Sequence, residues 1–190
     1  MARILIVYGS SQGQTAKIAG VIAEELRASG NTVHVLDSRS GGEPSPLSYD
    51  GVIAGASVHA RGYQKKLVNW VARHAAELSE RPSAFFSVCL GVLQEDPSVQ
   101  REEREIVTAF FRRTGWSPAR WEIFAGALSY TKLNFLLKRV IRRIARKAGG
   151  GTDIRRDYEY TDWRAVRGFA RDFERDLREW SGAHQRLASS

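Results

Sequence analysis

The opening of this chain constrains its fold more than any other stretch. Arg3 to Gly9 (R-I-L-I-V-Y-G) is an unbroken apolar, β-branched run, and a helical pattern starts a few residues beyond it. A strand with one wet face alternates apolar and polar residues, so an apolar run of this kind needs cover on both faces, as in a parallel sheet. The helix that follows carries Ile18, Val21, Ile22 and Leu26 at helical spacing, with Gly30 as its C-terminal cap. Four further strands are expected at Thr32 to Leu36, Tyr49 to Val58, Ser83 to Leu90 and Trp121 to Leu128. Leu67, Trp70, Val71, Ala75 and Leu78 form one helical stripe, and Val99, Ile106 and Phe110 another. The stripe from Trp163 through Val166, Phe169, Ala170, Phe173 and Leu177 to Trp180 is a last amphipathic helix, with Thr161 as N-cap. Ser38 to Ser48, rich in Gly, Pro and Ser, is loop. Five strands alternating with helices specify a doubly wound α/β domain.

A length of 190 residues suits one domain, since folding at that size buries roughly 70% of the unfolded surface. That domain is expected over residues 1–182, with 183–190 as a flexible tail. No run reaches the roughly 18 uncharged apolar residues of a membrane span, and the first residues read as a strand, not a signal peptide. The single cysteine, Cys89, cannot close an internal disulfide, which suits the cytoplasm. One connection breaks the rhythm: residues 129–160 separate the fifth strand from the last helix, where about 2 to 6 residues would suffice.

That insertion holds the charge. The chain has 29 Lys and Arg against 21 Asp and Glu, a net +8. Seven basic residues (Lys132, Lys138, Arg139, Arg142, Arg143, Arg146 and Lys147) and no acidic one fall between Lys132 and Lys147. On a helix, Leu133, Leu136, Leu137, Val140, Ile141 and Ile144 share the opposite stripe, and Gly149 to Gly151 ends the pattern. A basic amphipathic helix of this kind can dock on an anionic membrane or clamp substrate carboxylates; it can equally pack its apolar stripe and leave the charges solvated. Nucleic acid would also suit the charge, but no recognition motif accompanies it and no nucleic-acid partner is expected.

Ligands of open parallel sheets bind beyond the carboxyl ends of the strands. The first loop there, Ser10-Ser11-Gln12-Gly13-Gln14-Thr15, offers hydroxyls, a glycine and helix N–H groups, which together make a phosphate cradle without a cation. It has neither the G-K-[ST] of a P-loop nor G-x-G-x-x-G, which disfavours nucleoside triphosphates and dinucleotides and suits a flavin monophosphate. The loop Ser57 to Tyr63 and the loop Leu90 to Pro97 would hold the two edges of a flat ring, through Ser57, His59, Arg61 and Tyr63 and through Leu90 and Gly91. Cys89 and His74 read as packing residues, and no metal-ligand spacing occurs.

The order strand, S-S-Q-G-Q-T, helix, then Y-D-x-V-I-x-G-A-S resembles the flavodoxin fold, which implies a five-stranded parallel sheet of order 2-1-3-4-5. Pro82 to Val88, Ala125 to Tyr130, the basic helix ending Gly149-Gly150-Gly151-Thr152-Asp153, and Tyr160-Thr161-Asp162-Trp163 resemble the bacterial quinone-dependent protoporphyrinogen IX dehydrogenases. The resemblance implies FMN, oxidation of protoporphyrinogen IX in haem synthesis, menaquinone or ubiquinone as acceptor, and a peripheral position on the cytoplasmic membrane. It assigns the phosphate to Ser10 through Thr15. Gln12 stands where an acidic residue is expected, and His59-Ala60-Arg61-Gly62-Tyr63 departs from the family's arrangement while keeping Tyr63. Arg139, Arg142, Arg143 and Arg146, with Lys138, are the candidates for the propionates or the membrane, because guanidinium groups bind carboxylates bidentately. Two other readings are open: another flavodoxin-like oxidoreductase or electron carrier, and a non-enzymatic membrane-docking module that has lost FMN.

Overall fold

The computed structural model describes residues 1–41, 44–59, 61–93, 96–128 and 158–188. In β1 (Arg3–Gly9), side chains alternate between two faces, and each face meets its own apolar layer. Ile4 and Ile6 pack with Ile18, Ile22 and Leu26 of α1 (Gln14–Ala28) and with Val166, Phe169 and Phe173 of the last helix, α5 (Trp163–Ala188). Leu5 and Val7 pack with Leu67, Trp70 and Val71 of α2 (Lys65–Arg73) and with Val107 and Phe110 of α4 (Pro97–Thr114). Each fully buried Ile, Leu or Phe contributes about 1.5–3 kcal/mol, and the sheet is held between both layers. This is the physical content of the unbroken apolar run.

The remaining strands, β2 (Thr32–Asp37), β3 (Gly51–Ser57), β4 (Ser83–Cys89) and β5 (Arg120–Ala125), complete a parallel sheet of order β2-β1-β3-β4-β5. Registers place Ile6 between Val35 and Ile53, and Phe86 between Gly55 and Glu122. β2 is an edge with His34 and Val35 exposed; β5 is the other, its Arg120 donating to Asp176 on α5 at 2.6 and 2.9 Å. No helix among the described residues is long and apolar enough to cross a membrane.

Several boundaries differ from the sequence pattern. The stripe from Leu67 to Leu78 is two helices, because the chain bends at His74 before α3 (Ala75–Ser79). β5 stops at Ala125; Ala127–Leu128 (β6) leaves the sheet and pairs antiparallel with Tyr158–Glu159 (β7). The two ends of the insertion are thus joined before residue 160. Thr161 does not cap α5. Asp162 does, its Oδ1 accepting from the N–H groups of Arg164 and Ala165 at 2.9 and 3.1 Å. Helix α5 also runs on to Ala188, through most of the stretch expected as a tail.

Candidate functional site

The strand order reverses between β1 and β3, and a cleft of about 270 Å³ opens there at the carboxyl ends of β1, β3 and β4. Its walls come from the three loops the sequence singles out, together with Gly126 and Ala127 beyond β5.

The first wall is Ser10 to Thr15. Ser10 is buried, and its Oγ accepts from the Gly13 N–H at 3.0 Å, which folds the loop back on itself. Gly13 has φ 101° and ψ −17°, a left-handed conformation open to glycine at no steric cost, and a Cβ there would meet no atom within 4 Å. No side chain caps α1, so the N–H groups of its first turn are left for whatever occupies the cleft. The contrast with α4 is direct: there Asp96 accepts from the Ser98 N–H at 2.8 Å. Thr15 is almost fully buried, and none of the hydrogen bonds among the described residues uses its hydroxyl.

Gln64 ties the first wall to the second, a residue that sequence reasoning passed over. Its Nε2 donates to Ser11 Oγ at 3.1 Å and to Ser57 Oγ at 2.9 Å, and its side chain fits against Gly9, where a Cβ would lie 2.6 Å from Oε1. His59 lines the cleft from a tight turn closed by His59 N–H to Gly62 O (2.7 Å) and Gly62 N–H to His59 O (2.9 Å). Arg61, in the same turn, has φ 62°, and its guanidinium lies 3.1 Å from Glu102. Tyr63 lies elsewhere. Its ring packs edge-on against Phe85 and Phe110, and its hydroxyl donates to Ser87 Oγ at 2.9 Å, so the structure places it in the core beneath the loop and not on the cleft wall. Burial raises its phenol above the ordinary tyrosine range.

On the third side, Leu90 lines the cleft, and Gly91 lies directly against Glu103 of α4: a Cβ on Gly91 would fall 2.1 Å from Glu103 Oε1. Glu103 reaches the cleft, its Oε2 is buried without a hydrogen-bond partner among the described residues, and burial raises its carboxyl above the usual range. Cys89 stands beside it. Burial and the Glu103 charge push that thiol up to about 12, as suits a buried, unreactive sulfur.

The chain returning from the insertion is stapled to the first wall. Gln14 Nε2 donates to Thr161 Oγ1 at 2.9 Å, and Thr161 donates to the Ala125 carbonyl at 2.7 Å. Lys17 pairs with Glu159, lies 4.9 Å from the Trp163 ring centre, and holds the Glu159 carboxyl below its usual range. Residue Thr161, read from the sequence as a helix cap, therefore belongs to the loop contacts around the cleft. Lys138, Arg139, Arg142, Arg143 and Arg146 lie outside the described residues.

The flavodoxin domain profile matches residues 5–155. The protoporphyrinogen IX dehydrogenase [quinone] of Escherichia coli is 34% identical over 170 residues, covering 90% of this chain and 93% of that protein. The protein of the same name from Leishmania major is 35% identical over 172 residues, 90% of this chain and 74% of that one. Among solved structures, oxidised flavodoxin 1 from Bacillus cereus superposes with a TM-score of 0.56 at 15% identity, covering 91% of this chain and 97% of its own. The rubredoxin oxygen:oxidoreductase of Desulfovibrio gigas superposes at 0.55 and 15% identity, over 93% of this chain and 36% of its own. At that identity the two structures speak to the fold alone.

Proposed function

The chain belongs to the flavodoxin-domain family, among the protoporphyrinogen IX dehydrogenases [quinone], and from that premise we propose how it works: it uses FMN to oxidise protoporphyrinogen IX and passes the electrons to a membrane quinone. The observation that carries this reading is 34% identity across nearly the whole of a curated relative, on a chain whose switch-point cleft has the chemistry of a phosphate monoester site.

The residues fit FMN. An uncapped helix N-terminus, a left-handed Gly13 with open space at its Cβ position, and a buried Thr15 hydroxyl present donors to an anion. No basic side chain occurs in Ser10 through Thr15, so the phosphate would be held by hydrogen bonds. Ser57, His59 and Leu90 would border the ring, with Gln64 fixing the spacing of the first two loops; Gly91, expected there from the sequence, faces Glu103 instead of the cleft. Bound there, FMN supplies the two-electron redox chemistry. The protein's own part is to position it, exclude water and carry protons.

The basic residues Lys138, Arg139, Arg142, Arg143 and Arg146 suit propionate carboxylates or anionic headgroups, which would keep substrate and quinone near the cleft at the cytoplasmic face of the membrane. The Gln14–Thr161 and Lys17–Glu159 contacts support this reading, since they tie the end of the insertion to the first wall. The test is turnover: FMN-loaded protein, protoporphyrinogen IX and a quinone in detergent, followed by porphyrin fluorescence. Quinone-dependent growth of fluorescence is expected. A yellow protein that reduces quinone only from other donors would mark a different flavodoxin-like oxidoreductase.

A further inference from the structure

Resting on the proposed reaction, we infer that Glu103 is the acid–base residue of the cleft, holding on Oε2 the proton that travels from porphyrinogen to quinone. The argument begins with what the described walls offer. Of the described residues lining the cleft, only His59, Cys89 and Glu103 carry a titratable group. His59 is exposed, at the closing position of its turn. Cys89 keeps its proton, its thiol pushed up to about 12. Glu103 remains.

Its placement is unusual for a glutamate. It falls on the apolar stripe of α4, four residues after Val99 and three before Ile106, where an apolar residue would pack at no electrostatic cost. Its carboxyl fills the space that Gly91 leaves by having no Cβ, and Oε2 is buried with no partner among the described residues. A buried, unpartnered carboxylate oxygen is destabilising, so a fold that keeps one at a cleft has a use for it. Among the described residues, the charged and titratable groups around it are Cys89 on β4, Tyr63 ahead of α2, and Glu102 on its own helix, the last paired with Arg61. Burial and Glu102 both favour the protonated form, while the Cys89 thiol favours the ionised one. The balance raises the carboxyl above the usual glutamate range, which makes it a stronger proton acceptor than an exposed glutamate.

Over three two-electron turnovers the porphyrinogen loses six hydrogens, three as hydride from bridging carbons and three as protons, two of these net from N–H groups and one from the fourth bridging carbon. Each turnover thus releases one hydride and one proton and converts a quinone to quinol with two electrons and two protons. The hydride equivalent accounts for both electrons and one proton. Glu103 takes the other proton in the first half and returns it in the second, ending ionised as it began.

Glu103→Gln keeps the shape beneath Gly91 and removes the proton site; Glu103→Asp keeps an acid on a shorter stem. In the cofactor-free protein, infrared titration should show a carboxylic-acid carbonyl band that persists above the ordinary glutamate range and is missing from Glu103→Gln. In the FMN-loaded protein, Glu103→Gln should keep its flavin and lose about 100-fold or more in kcat together with the acidic limb of the pH profile, and Glu103→Asp should restore part of both. Glu103→Gln turning over at the wild-type rate with the wild-type pH profile overturns the proposal, and so does a wild type with no such band. If the wild type leaves porphyrinogen untouched, the substrate reading fails, and the infrared titration alone decides whether Glu103 holds the proton.

Discussion

Replacing Thr15 by Ala separates a phosphate site from a helix start of ordinary composition. Thr15 is the second residue of α1, almost wholly buried, and its hydroxyl enters none of the hydrogen bonds among the described residues. Loss of that hydroxyl should therefore cost the ligand-free protein little. With FMN bound, the same hydroxyl would donate to a phosphate oxygen, and a hydrogen bond to a charged group contributes about 1.5–3 kcal/mol. Taken at 1.4 kcal/mol per tenfold, Thr15→Ala should weaken FMN binding by about 10- to 150-fold. Riboflavin, which has the ring and no phosphate, supplies the control. Fluorescence titration should show its affinity unchanged while the FMN advantage shrinks. Equal losses for both ligands would mean that Thr15 serves the ring or the fold; no loss for either would move the phosphate elsewhere.

The other expectations concern packing, charge and the insertion. Gly55→Ala places a Cβ 2.0 Å from Phe86 Cζ, and that ring is fully buried against Phe124 and Phe169. Overpacking of about 1–3 kcal/mol should lower Tm by about 2–12 °C, and a melting curve superposable on wild type would refute the close packing. Because the Glu103 carboxyl is raised in the folded state, its stabilising contribution is present below the ordinary glutamate range and lost as pH rises through the folded-state value. Glu103→Gln should accordingly gain stability relative to wild type as pH rises above the ordinary glutamate range in urea titrations, and a difference that stays constant with pH would contradict the burial argument. Neutralising Lys138, Arg142 and Arg146 together should weaken binding to anionic vesicles by about 2–3 kcal/mol, at about 1 kcal/mol per charge. Added salt should weaken the wild type similarly, and equal sedimentation of both proteins at low and high salt would assign these charges away from the membrane.

The central strands and both apolar layers were legible in the sequence because a parallel sheet covered on two faces imposes a local signature on its inner strands, whereas the strand order came with the resemblance to the flavodoxin fold. Ile4 to Val7 illustrate it: each must be apolar, and each is. The turn of the first loop was legible for a similar reason, since Ser10 and Gly13 meet across three residues. What escaped depends on distant partners. Tyr63 looks like a ring contact because it sits in the right loop; only the aromatic cluster of Phe85 and Phe110 shows that it turns into the core. Thr161 has the composition of an N-cap, yet Asp162 takes that place and Thr161 joins Gln14 to Ala125. Gln64 and Glu103 are chemically unremarkable in sequence until Ser11, Ser57 and Gly91 are brought beside them. For Glu103 a signal did exist, an acid inside the apolar stripe of α4, and it reads as an irregularity until burial is known.

Anaerobic mixing of the FMN-loaded protein with protoporphyrinogen IX tests the central claim most directly, because it watches substrate and cofactor exchange electrons with no acceptor present. The flavin absorbance should bleach within one turnover, with about one third of an equivalent of porphyrin formed per FMN, since each complete oxidation passes six electrons and each flavin accepts two. Addition of a quinone should restore the yellow colour and let porphyrin fluorescence rise until substrate is spent. A flavin that stays oxidised in the presence of excess porphyrinogen, in a protein shown to bind FMN, would contradict the assignment.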